Sequence, residues 1–310
     1  MKTPPADADA LRAQRRALKL RARLNDAIRR FFRERGFLEV ETPVVLPANA
    51  PEANIDAVPA GTGWIRTSPE LAMKRLLAAG CEKIFQLGPV ARAGEHGRWH
   101  HPEFALLEWY RANAGYLEIL ADAKALLACV AREIRGATDF AWQGRPLSCA
   151  QELWEKSTVS EAFLQHAGWD PAQQFDADRF DLDLVARVEP ALPPDHPVVL
   201  IDYPAPLAAL ARRKPGDPLR AERWEVYLGG VELANAYSEL TDPAEQRARF
   251  EEANALRQRR GEKSYPLDEA FLAALAQMPP SGGIALGVDR LLMILADAAS
   301  LDDVLPFRHG

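Results

Sequence analysis

Cysteine is scarce in this 310-residue chain: Cys81, Cys129 and Cys149 are odd in number and widely separated. That excludes a disulfide framework and a Cys-x-x-Cys metal site, and fits free thiols in a reducing compartment. His100 and His101 are adjacent and lack metal-ligand spacing, so zinc is not expected. Long apolar runs are missing too; nothing approaches the roughly 18 residues of a membrane span. The opening MKTPPADADALRAQRR has no apolar stretch of the secretory-signal kind. A cytoplasmic location with no membrane attachment is therefore expected. No internal repeat or low-complexity linker divides the chain.

Hydrophobic residues make up 48% and charged residues 26%, an ordinary globular balance that supplies a core. One large α+β unit can use the whole length. The net charge of −6 is uneven: residues 12–35 carry ten Arg and Lys against Asp26 and Glu34. That basic segment meets either an acidic partner or RNA by electrostatic steering, or only solvent.

Residues 1–10, rich in Pro, Ala and Asp, read as a flexible N-terminus. Leu20, Leu24, Ile28, Phe31 and Phe32 give an amphipathic helix over about 11–35, stopped by Gly36. Residues 37–42 alternate like a short strand, and 43–63 read as a loop. Ser68 caps a second helix that opens on Pro69 and Glu70 and ends before Gly80. Strands are expected at 83–92 and 103–111, at Val198–Ile201 and at Trp224–Leu233. Helix is expected at 116–135, in a helical insertion near 140–195 and at 243–260. Residues 282–297 read as strand, glycine, helix.

Two strands carry polar faces. Phe104, Leu106, Glu108 and Tyr110 share one side, with Leu107 and Trp109 on the other. Phe, Glu and Tyr together suit a site wall better than a core. Asn235, Tyr237 and Glu239 alternate likewise, whereas Glu232 is out of phase unless a bulge or turn intervenes.

Three segments together resemble the catalytic core of class II aminoacyl-tRNA synthetases, in the lysyl branch. They are GFLEVETPVV (36–45), FQLGPVARAGEHGRWHHPEFALLEWYRA (85–112) and GGIALGVDRLLMIL (282–295). Between them, RTSPELAMKRLLAAG (66–80) and VELANAYSELTDPAEQRARF (231–250) resemble lysine-pocket segments. Within the branch, the chain resembles the short paralogues that ligate lysine or β-lysine to elongation factor P. The basic helix begins almost at the N-terminus, so no anticodon-binding domain is expected. Ala285 stands where lysyl-tRNA synthetases usually have glycine and the paralogues alanine.

The resemblance implies an α+β fold, an antiparallel sheet flanked by helices, with a homodimer interface at 15–45. It also implies ATP with Mg²⁺, activation of the amino acid as an adenylate, and transfer to an elongation factor P lysine, with (R)-β-lysine the expected substrate. Arg92 and Arg290 become the catalytic pair. ATP contacts fall on Arg92, Ala93, Gly94, Glu95, His101, Phe104, Glu232, Leu233, Gly287 and Arg290. The amino acid falls to Ser68, Pro69, Glu70, Glu108, Tyr110, Asn235, Tyr237, Glu239 and Ala285. Phe104 and Arg290 are expected on opposite faces of the adenine. Glu239 is expected to take the side-chain amine, Glu70 and Glu108 the other amino group, and Glu232 with Glu239 the metal. The motif's usual Arg-Asn-Glu is here Arg92-Ala93-Gly94, and His101 replaces a frequent asparagine, which puts those loop contacts in question. Two other readings stand beside this one: a lysine–tRNA ligase, against which the acidic charge and missing anticodon domain count, and a non-catalytic amino-acid-binding regulator.

Overall fold

The computed structural model describes residues 11, 12 and 14–307. The flexible N-terminus expected at 1–10 lies outside the described residues. In chain order the elements begin with α1 (Arg15–Glu34), β1 (Leu38–Glu39), β2 (Val45–Leu46), β3 (Pro59–Ala60), β4 (Gly63–Ile65) and α2 (Glu70–Ala78). Next come β5 (Lys83–Ala91), β6 (Glu103–Ala112), α3 (Tyr116–Arg135), β7 (Asp139–Trp142), β8 (Arg145–Ser148), β9 (Glu155–Thr158), α4 (Val159–His166) and α5 (Ala177–Asp183). β10 (Val198–Ile201), β11 (Arg213–Lys214), β12 (Asp217–Ala221), β13 (Arg223–Leu228) and β14 (Val231–Ser238) follow. α6 (Pro243–Arg259), α7 (Glu269–Leu275), β15 (Ser281–Gly287) and α8 (Val288–Leu295) complete the set.

Eight strands form one sheet in the order β1-β5-β6-β15-β14-β13-β10-β9. The six inner strands are antiparallel to one another, and only the edge strands β1 and β9 pair in parallel. This is the expected α+β architecture, an antiparallel sheet flanked by helices. α1, α3 and α8 cover one face, because their apolar stripes meet the inward residues of the strands. Phe32 of α1 sits at the centre, with ring centroids 4.8 Å from Phe85, 5.0 Å from Phe37 and 5.1 Å from Trp109. Replacing a buried ring like this one with Ala costs about 3–5 kcal/mol. α2 and α7 build a second core with Leu71, Met73, Leu77, Phe271 and Leu275.

Three expectations need correction. The supposed loop 43–63 contains β2, β3 and the start of β4, which close into a small three-stranded sheet. The segment 140–195, expected to be helical, opens with strands: β7 and β8 form a hairpin, and β9 joins the main sheet beside β10. The strand expected at 224–233 is in fact two, β13 and β14, joined by Gly229-Gly230. Among the described residues, no helix is long and apolar enough to cross a membrane.

Candidate active site

The sheet face away from α1 and α3 carries a cavity of about 310 Å³. Its wall includes Phe104, Leu106, Glu108 and Tyr110 from β6, while Leu107 and Trp109 point into the core. Ala285 on β15 pairs with Glu108, and Gly283 beside it faces Tyr110. A Cβ on Gly283 would collide with Glu239 Oε1 and with the Tyr110 ring. Only glycine lets these two side chains occupy the same corner.

The phase problem of Glu232 has a structural answer. The ladder pairs Val226 with Ala234 but Tyr227 with Glu232, which leaves Leu233 as the extra residue of a β-bulge. The side-chain alternation is reset there. Glu232, Asn235 and Tyr237 consequently all line the cavity.

Arg92 and Arg290, nearly two hundred residues apart, both line it as well. Arg92 donates from Nε to Thr67 O at 3.3 Å, and its guanidinium lies 5.2 Å from the Phe104 ring centre. Arg290, in the first turn of α8, reaches β14 and the 93–102 loop. It donates to Glu232 O at 2.8 Å and to Trp99 O at 3.0 Å, and lies 3.2 Å from the Glu232 carboxylate and 2.7 Å from His100 Nε2. Burial and the neighbouring Arg290 lower the His100 pKa, so the ring faces the guanidinium as a neutral acceptor.

The other end is acidic. Glu108 accepts from Ser68 Oγ at 2.6 Å and from Tyr110 OH at 2.8 Å. Burial first, then Glu70, push its carboxyl up to about 7. Glu70 accepts from Tyr237 OH at 2.5 Å and pairs with Lys74 at 2.5 Å. Burial and the nearby carboxylates raise Tyr110 and Tyr237, which remain neutral donors. Glu52, also in the wall, is pushed up to about 7 by burial and then by Glu70.

Of the residues singled out in the sequence, Ser68, Glu70, Arg92, Glu95, His101, Phe104, Glu108 and Tyr110 line the cavity. So do Glu232, Leu233, Asn235, Tyr237, Ala285, Gly287 and Arg290. Pro69, Ala93, Gly94 and Glu239 do not. Pro69 immediately precedes α2, the Ala93 amide is bound to Asp56 O at 2.7 Å, and Gly94 is a left-handed turn residue with φ of 78°. Glu239 lies behind the wall, fully excluded from solvent, with Lys74 Nζ at 2.5 Å. Pairing Glu239 with Glu232 around a metal is thereby corrected, because an internal ammonium already occupies its carboxylate.

Several wall residues were missed: Glu52, Trp99, His100, Arg223 and Glu225. Alternation along β13 puts Arg223, Glu225 and Tyr227 on one face, a signal the sequence did carry. Arg223 bonds Glu225 at 2.7 Å and Asn235 at 3.0 Å. Glu225 also accepts from Tyr203 OH at 2.6 Å and Tyr227 OH at 2.8 Å. Burial and then Glu225 raise Glu232, and burial followed by Glu232 and Glu225 lifts nearby Glu189 to about 7. This corner is short of positive charge. Among the described residues, no group of three or more His, Cys, Asp or Glu side chains is arranged to hold a metal.

A basic patch facing a carboxylate-lined end is the arrangement that a polyphosphate and an amine-bearing acid require. Residues 7–309 match the family tRNA synthetases class II (D, K and N). The chain belongs to that family. A lysine–tRNA ligase of Moorella thermoacetica is 37% identical over 93% of this chain, which spans only 64% of that ligase. An elongation factor P–(R)-beta-lysine ligase of Edwardsiella ictaluri is 38% identical, with 93% of each chain covered. The ligase of the same name from Pectobacterium atrosepticum is 39% identical, again over 93% of each. In this class II chain the family's core accounts for nearly every described element.

Proposed function

We propose that this chain activates a lysine-type amino acid with ATP and transfers it to a lysine side chain of elongation factor P, with (R)-β-lysine the preferred substrate. Two guanidinium groups and a carboxylate-lined end in one cavity carry the reading, supported by relatives that bear that name and are covered across 93% of their own length. In the first step a substrate carboxylate oxygen bonds to the α-phosphorus while the bond to the bridging oxygen breaks, and pyrophosphate leaves. In the second, the acceptor's neutral amine attacks the acyl carbon and gives up a proton to solvent, the bond from that carbon to the phosphate oxygen breaks, AMP leaves and an amide forms.

Such chemistry asks a protein chiefly for position and charge. Arg92 holds the α-phosphate and neutralises charge developing on it. Phe104 offers an aromatic face to the adenine, and Arg290 a planar cation. The rings of Tyr110 and Tyr237, with Glu108 and Glu70, orient the amine-bearing substrate. Glu239 acts through Tyr110 and Lys74 at the far end, where it sets the field felt by the side-chain ammonium. Glu225 and Glu232, two carboxylates on one wall, would hold Mg²⁺; burial first, and then Glu225, raises the proton affinity of Glu232. When bound, the ion would offset the charge of the phosphates.

ATP–pyrophosphate exchange with lysine and both β-lysine enantiomers tests the first step. Mass spectrometry of elongation factor P after incubation tests the second. Exchange with every isomer absent would remove the proposal, and exchange with transfer only to tRNA would redirect it. A homodimer, through α1 and the residues up to 45, belongs to the same reading and is checked by sedimentation.

A further inference from the structure

One acidic wall residue has no part in the scheme above. Glu52 sits in the segment between β2 and β3 and lines the cavity. The other carboxylates at that end already accept bonds within the protein: Glu70 from Tyr237, with Lys74 beside it, and Glu108 from Ser68 and Tyr110. Among the described contacts the Glu52 carboxylate accepts none, although it lies partly buried in the wall. A carboxylate withdrawn from water without a donor is costly, and a ligand cation relieves that cost.

The backbone that presents it is fixed. Arg257 of α6 is 1% exposed, and its guanidinium is spent on this segment. It donates to Glu52 O at 2.9 Å, to Ile55 O at 3.2 Å and to the Asp56 carboxylate. Tyr265, which stacks 4.9 Å from that guanidinium, accepts the Ala57 amide at 2.8 Å. A buried arginine holding three loop residues is a rigid mount for the side chain beside it.

An ammonium in a dry cleft has three donors to satisfy. Glu108 from the sheet and Glu70 from α2 already spend acceptors on Ser68, Tyr110, Tyr237 and Lys74. We propose that Glu52 is a substrate-binding residue that supplies the remaining acceptor, on the amino group nearest the reacting carboxylate. Arg92 is the cation that acts on Glu52 most strongly, which sets Glu52 at the carboxylate end of the substrate. The mobile end of the amino acid is then read by the sheet, and the amine next to the carboxylate by the loop. This rests on the activity proposed above and names how that site selects its substrate.

The test compares substrates that differ by one amine, using the full chain in ATP–pyrophosphate exchange. Lysine and β-lysine carry both amino groups; 6-aminohexanoate lacks the one near the carboxylate, and 2-aminohexanoate lacks the distal one. Analogues that are not turned over are measured as competitive inhibitors. Glu52→Gln should raise KM for the diamino acids about 10- to 100-fold, the range for one charge-assisted bond. KM for ATP and the constant for 6-aminohexanoate should stay put, while 2-aminohexanoate weakens. Glu52→Asp, which keeps the charge but withdraws it, should fall between. Equal losses for all four compounds, or none for any, would overturn the assignment. Silence of the unaltered chain with every isomer would instead remove the activity itself.

Discussion

Lys74 Nζ lies 2.5 Å from both the Glu239 and the Glu70 carboxylates, with its side chain wholly shut off from water. One ammonium thus faces two carboxylates beneath the floor of the cavity. Burial pulls the Lys74 pKa down, but Glu239 and Glu70 more than offset it. Burial raises Glu239, against Lys74, to about 8. The charge that Glu239 presents is therefore set from inside the protein.

Removing that ammonium exposes the imbalance. Lys74→Met should destabilise the fold by about 3–5 kcal/mol, the usual cost of stranding buried charge. Urea unfolding measures it. The double variant with Glu239→Gln should recover part of the loss, and a strictly additive pair would refute the coupling.

Arg290→Ala should raise KM for ATP in pyrophosphate exchange by up to about 30-fold, the scale of a desolvated cation–π contact of roughly 2 kcal/mol. The melting temperature should change little, since the guanidinium lies in the wall and outside the core. Arg290→Lys should recover only a fraction, because a point charge cannot stack as a plane.

Gly283→Ala should be the most damaging single methyl in the site. Its Cβ would collide with Glu239 Oε1 and the Tyr110 ring, neither of which has room to retreat. Overpacking of this kind costs about 1–3 kcal/mol, and calorimetry should register it together with loss of amino-acid affinity. An unchanged melting temperature would mean the corner is looser than described.

Much of this was legible in the chain itself. The stripe from Leu24 to Phe32 marks α1, and alternation over 104–110 puts Glu108 and Tyr110 on the cavity side. The misfit of Glu232 foretold the bulge. Glu225 and Arg223 escaped because β13 and β14 were read as one strand, which loses the alternation at the Gly229-Gly230 turn. Lys74 looks like the exposed half of an i,i+4 pair with Glu70, and local spacing cannot say that α7 and the sheet bury it. Glu52 stands in a proline-rich stretch with no period at all. Its place depends on Arg257, some two hundred residues later.

Proton linkage gives a further expectation. Glu108 is raised from 4.5 to about 7, so the folded chain holds more protons than the unfolded one between those values. Its contribution is full below about pH 4.5 and is lost as pH rises through 7. Unfolding midpoints for the chain should therefore fall across that window relative to Glu108→Gln. A substrate ammonium prefers the ionised carboxylate, so amino-acid affinity should climb through pH 7 and then level. Parallel midpoint curves for the two proteins would contradict the assignment.

The supernumerary Leu233 makes the chemistry of β14 depend on counting. Were Leu233 instead paired with Tyr227 in an unbroken ladder, Glu232 would turn toward the greasy layer beneath α8 and Arg290 would lose its carboxylate neighbour. A slip of one residue in that pairing would thus erase a charged corner without altering a single acidic residue.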